Sequence, residues 1–109
     1  MSERTLSILR QCAPIFVILQ DERRQELLER LFQNGELTVN ALAEKMTISR
    51  TAVSHHLKLL KQTGVIAVRK AGREKYCRLS LAGSIELLRS LLASLEDDQK
   101  NIAERNKQT

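Results

Sequence analysis

No stretch of this 109-residue chain is apolar enough to cross a membrane. The longest apolar run, Ala13-Pro14-Ile15-Phe16-Val17-Ile18-Leu19, has seven residues, and a membrane span needs roughly 20. Nothing at the start reads as a secretory leader. Only two cysteines occur, Cys12 and Cys77, too few and too far apart for a disulfide framework, so a reducing cytoplasm is the expected compartment. A Gly-rich phosphate loop, a His-Glu-x-x-His helix and a nucleophile with a paired base are all missing, which argues against an enzyme. Internal repeats and low-complexity tracts are missing too. At 42% hydrophobic and 28% charged residues the chain reads as one domain over 1–109. A chain of this size buries only about two-thirds of its unfolded surface, which favours burial shared between subunits.

Basic charge is present, and it is concentrated. The formal net charge is +5. Residues 41–80 hold nine Lys and Arg against Glu44 and Glu74, a net +7, and the remainder holds nine basic against eleven acidic residues, a net −2. A cationic segment inside an otherwise acidic chain points to a polyanionic partner.

That segment contains the most informative stretch, Ser49 to Lys61. With Ser49 as its cap, a helix here places Val53, Leu57 and Leu60 on one face, at i, i+4 and i+7. Its other face carries Arg50, Thr51, Ser54, His55 and Lys58, groups suited to base edges and nearby phosphates in a major groove. A shorter helix from about Val39 to Met46, capped by Thr38, precedes it across Thr47-Ile48-Ser49. The pair reads as a helix-turn-helix over 38–63. Two strands follow, Val65 to Lys70 and Glu74 to Leu79, flanking the hairpin tip Ala71-Gly72-Arg73. Arg69, Lys70, Arg73 and Lys75 surround that tip. A cationic hairpin beside a recognition helix is a wing, here 65–80, expected with Lys58 and Lys61 to hold phosphate backbone.

The ends of the chain are expected to pair subunits, through helices over 3–19 and 81–103. Leu6, Leu9 and Ala13 form a stripe on the first, with Pro14 expected to break or kink it. Asp21 caps a second helix from Glu22 to about Gln33, with Leu27, Leu28, Leu31 and Phe32 inward, stopped by Asn34-Gly35. On the last helix Ile85, Leu88, Leu92 and Leu95 form a stripe with Leu91 beside it, and Ile102 resumes it after Glu96-Asp97-Asp98. The tail from Glu104 to Thr109 is expected to fray. Such a stripe needs a partner surface, and a twofold dimer of terminal helices supplies one. The expected architecture is mainly α with a small β-hairpin, a winged helix-turn-helix that is dimeric through its terminal helices.

Leu42-Ala43-Glu44-Lys45, Val53-Ser54-His55-His56-Leu57-Lys58-Leu59-Leu60 and Gly64-Val65-Ile66, followed by the basic hairpin, closely resemble the ArsR/SmtB family of bacterial winged-helix repressors. The likeness covers roughly residues 6–95 and includes Cys12 through Gln25. It implies a homodimer that binds an imperfect palindrome in double-stranded operator DNA and lets go when an inducer binds. The family's metal-ligand sets do not carry over. Thr47 to Ser54 holds no cysteine, and the C-terminal helix offers Glu96, Asp97, Asp98 and Glu104 without a histidine. No metal or cofactor is therefore expected. His55 and His56 point about 100° apart on a helix and cannot converge on one ion. His55 is expected to meet DNA and His56 to be half-buried. Cys77 reads as a small sheet residue and Cys12 as equally undecided; were the two to meet in a dimer, they would form a redox switch or a soft-metal site. A winged helix that binds protein through the same face is the other alternative, disfavoured by the scarcity of acidic residues on 41–80.

Overall fold

A computed structural model describes residues 1–107. In chain order the elements are α1 (Glu3–Leu19), α2 (Glu22–Asn34), β1 (Glu36–Thr38), α3 (Val39–Glu44), α4 (Arg50–Gln62), β2 (Ile66–Ala71), β3 (Glu74–Leu79) and α5 (Ala82–Lys107). Polar caps set most helix starts. Ser2, Asp21, Thr38 and Ser49 each accept an amide from the first turn of α1, α2, α3 and α4, as residues with short oxygen-bearing side chains do.

The core lies where α2, α3 and α4 meet the sheet. Leu27, Leu31, Leu42, Val53, Leu60 and Val65 are almost wholly removed from water there. Val53, Leu57 and Leu60 are buried along α4 as their spacing predicts. Phe32 is not: it is 79% exposed. The buried stripe of α2 is narrow, Leu27 and Leu31, and Phe32 lies about 100° round the helix from Leu31.

The wing contains a third strand. β1 pairs antiparallel with β3, Leu37 opposite Cys77, so the strand order is β1-β3-β2. The β2–β3 turn is tighter than the three-residue tip expected, because Ala71 pairs with Glu74 and leaves only Gly72-Arg73 as the loop. Gly72 has φ 61, the positive value required at the first central position of a type II′ hairpin turn. α3 ends at Glu44, short of the expected Met46, which lengthens the connection to α4.

α1 runs unbroken through Pro14. Proline deprives the carbonyl four residues earlier of its bond, but Arg10 and Pro14 both face solvent, where water can serve that carbonyl. α1 and α5 pack antiparallel. The hydroxyls of Thr5 and Ser94 bond to each other out of solvent, the Ser2 amide donates to Asp98 at 3.0 Å, and Cys12 Sγ lies 3.9 Å from the Leu87 carbonyl. α5 continues in helix to Lys107, so Glu104 to Lys107 do not fray; Gln108 and Thr109 lie outside the described residues.

α5 carries two apolar stripes where one was expected. Leu87, Leu91 and Ser94 turn towards α1, and Leu91 is only 8% exposed, so it belongs to the protomer's interior and not to a seam between subunits. Ile85, Leu88 and Leu92 face outward, together with Leu6 of α1. Ala13 is also exposed, while Leu9 and Leu95 are half-buried. Among the described residues no helix is long and apolar enough to cross a membrane.

Acid should weaken this fold by a definite route. Backbone amides hold two carboxyls below the ordinary carboxylate pKa: chiefly the Arg24 amide at Asp21, and chiefly the Ser2 amide at Asp98. A folded pKa below the unfolded one, about 3.9 for Asp, stabilises the native state fully above about pH 5. That contribution is lost as pH falls through the depressed values. Urea midpoints from pH 7 to pH 3 should fall on the acid side, and less steeply for Asp21→Asn with Asp98→Asn than for wild type.

Candidate nucleic-acid interface

An open groove of about 750 Å³ separates α4 from the wing. Arg50, Ser54, Lys58 and Lys61 line it from α4, spaced at i, i+4, i+8 and i+11 so that they share one helix face. Lys70, Arg73 and Lys75 line it from the hairpin. Val39, Leu57, Val68 and Cys77 supply apolar floor between them. Seven of the ten residues expected to meet DNA are thus brought together.

All six cations of that set are exposed, and none has a carboxylate oxygen within 4.0 Å among the described residues. Lys70 and Lys75 stand directly opposite each other on β2 and β3. Like charges in that position repel, which disfavours the hairpin until an anion comes between them. Glu74 is the one acidic residue on the groove wall. The arrangement is a cleft of uncompensated positive charge, suited to a chain of phosphates.

Three expected contacts lie elsewhere. Thr51 and His55 are exposed on α4 but outside the groove. Arg69 lies on the rear face of the sheet, where its Nη2 donates to Glu36 Oε1 at 2.7 Å and its guanidinium covers Tyr76 at 4.5 Å. A strand alternates its faces, so Arg69 cannot share a side with Lys70. Asn40, in the first turn of α3, lines the groove and was missed by sequence reasoning. Its only sequence signal is its position just after the Thr38 cap.

His56 is half-buried, with Nδ1 3.4 Å from Arg24 Nη1. The rings of His55 and His56 are 6.1 Å apart and tilted by 53°. Among the described residues no three His, Cys, Asp or Glu side chains gather as a metal site would need. The two thiols are unpaired and occupy different layers, Cys12 against α5 and Cys77 beneath the groove. Burial pushes both thiol pKa values up, which disfavours the reactive thiolate.

A family model described as an HTH domain matches residues 23–73. The chain is 32% identical over 93 residues to a transcriptional repressor SmtB homolog of Synechocystis sp., covering 85% of this chain and 70% of that protein. The chain belongs to the ArsR/SmtB family of transcriptional regulators. This regulator is also 35% identical over 66 residues to the transcriptional repressor SdpR of Bacillus subtilis, covering 61% of its own length and 72% of that protein. Among solved structures it superposes on an ArsR-like transcriptional regulator from Rhodococcus sp. with a TM-score of 0.76 at 27% identity, covering 91% and 92% of the two chains. A homodimeric winged helix-turn-helix DNA-binding domain from Mycobacterium bovis, a possible ArsR-family regulator, gives 0.67 at 30% identity, covering 90% and 89%.

Proposed function

We propose that this regulator is a dimeric, sequence-specific repressor that binds an imperfect palindrome in double-stranded DNA. One observation carries the reading: six exposed cations, without carboxylate partners among the described residues, line a single groove between α4 and the wing. α4 enters a major groove with Arg50 and Ser54 towards base edges, while Lys58, Lys61, Lys70, Arg73 and Lys75 hold phosphates. The homodimer forms through Ile85, Leu88 and Leu92 of α5 and Leu6 of α1, which puts two α4 helices about 34 Å apart in successive grooves. Repression is by occupancy, without a reaction on a substrate and without a resident cofactor. An inducer releases the operator. The DNA partner places the work in the cytoplasm.

The test begins with the duplex that the protein enriches from a random pool. Affinity for it should fall linearly and steeply on a log–log plot against salt, as counterion release requires. Arg50→Ala should cost about 1–3 kcal/mol and relax the preference at one position of each half-site. A protein-binding module would show neither the salt slope nor the loss of sequence preference.

A further inference from the structure

The rear face of the three-stranded sheet carries a polar cluster that the groove does not use. Glu36 of β1 stands opposite Arg78 of β3, and Tyr76 of β3 stands opposite Thr38 on one side and Arg69 on the other. Arg69 crosses β3 to reach β1: Nη2 and Nε meet Glu36 Oε1 at 2.7 and 3.2 Å, and Nε meets Oε2 at 3.1 Å. Its guanidinium lies 4.5 Å from the Tyr76 ring centre beneath that path. The two outer strands are thus tied over the central one by a fork that touches both carboxylate oxygens, backed by cation–π attraction. Arg69 also holds the Glu36 carboxyl below its usual pKa.

What the tie connects gives it a role. β2 carries Val68 and Lys70 into the groove on its other face. β1 ends at Thr38, whose hydroxyl caps α3, and α3 leads to α4. Wing and recognition helix are the two walls of the groove, and the Glu36–Arg69 pair joins β1 to β2 behind it. We propose that Glu36, Arg69 and Tyr76 form a strap that positions the wing for DNA without touching it, an inference that rests on the DNA-binding reading.

Charge and geometry predict opposite signs for Glu36→Gln, and this makes the strap testable. Removing an acidic group near the interface raises the net charge by one and, through the field alone, should tighten DNA binding. Loss of the strap should weaken it, by about two- to fivefold given the modest coupling of exposed ion pairs. Arg69→Lys keeps the charge but loses the fork, and should weaken binding by a similar factor. The double variant Glu36→Gln with Arg69→Lys carries the same charge as Glu36→Gln and should bind no worse than either single one, because both remove the same contact. Tyr76 is the chain's one tyrosine and there is no tryptophan, so intrinsic emission reports on the strap in the free protein. That emission should change in Glu36→Gln and Arg69→Lys while far-UV circular dichroism does not.

The measurement uses the duplex enriched by the wild-type protein, titrated across a salt series. Equal or tighter binding by Glu36→Gln, or unchanged Tyr76 emission, overturns the strap. A salt slope about one unit shallower per protomer in Arg69→Gln would instead make Arg69 a phosphate ligand and overturn it too. Enrichment of no duplex at all would overturn the DNA-binding reading itself and the strap with it.

Discussion

Leu92→Asp is expected to convert the regulator into a folded monomer with little affinity for its operator. Leu92 is the most exposed large hydrophobic residue of α5, 58% accessible in the protomer, on the same stripe as Ile85 and Leu88. A carboxylate there costs the isolated subunit almost nothing. Buried at a twofold seam without a partner, it would cost several kcal/mol, and the symmetry places two of them. Losing the second half-site removes the avidity of a linked pair, which is on the order of a hundred- to ten-thousandfold. Sedimentation should show the monomer, and DNA titration should show the loss. Thermal melting at low concentration should match that of dissociated wild type. By contrast, Leu91→Asp should unfold the α1–α5 pair, because Leu91 is interior.

The second large effect runs in opposite directions for binding and for stability. Replacing Lys70, Arg73 and Lys75 together by glutamine removes three of the proposed phosphate ligands per protomer, six per dimer. At about 0.9 counterions per contact, the log–log salt slope should become shallower by about five units, and low-salt affinity should fall on the order of a hundred- to a thousandfold. Preference among sequences should change little, because the proposed contacts of these groups are to backbone, which carries no sequence information. The same variant should melt later than wild type. Lys70 and Lys75 face each other across the ladder, neither in an ion pair among the described residues, and relieving that repulsion should contribute about 0.2–1 kcal/mol. A variant that bound poorly through misfolding would melt earlier, so the sign of the stability change separates the two explanations.

Much of this was legible in the sequence because it rests on local rules. Ser49 as a cap and the Val53, Leu57, Leu60 stripe define α4 without reference to anything distant, and Gly72 marks the hairpin. The groove followed from these, since a helix face and a strand face next to each other in the chain had few ways to be arranged. Features that depend on remote partners were not legible. β1 joins the sheet through β3, some forty residues later in the chain. Strand alternation already sets Arg69 and Lys70 on opposite faces, but the ion pair that holds Arg69 needs Glu36 to arrive from that remote strand. The division of the α5 leucines is a related case. Helical period shows that Leu88, Leu91, Leu92 and Leu95 cluster, but not that α1 of the same chain takes Leu91 and leaves Leu92 outward. Pro14 carries a third lesson: a helix-breaking residue is tolerated where water can reach the carbonyl it orphans.

The buried hydroxyl contact between Thr5 and Ser94 reaches further than its location suggests. An apolar seam permits sliding, whereas a buried hydroxyl contact, with the Ser2 amide bonded to Asp98 one turn further along, favours a single alignment. α5 follows directly from the wing, so in a dimer built on α1 and α5 that alignment sets how far apart the two reading heads stand. A slip of one helical turn, about 5.4 Å, would put them out of step with the pitch of the double helix. In the proposed dimer, the spacing between half-sites is in that sense written in the α1–α5 pair and not in the groove itself.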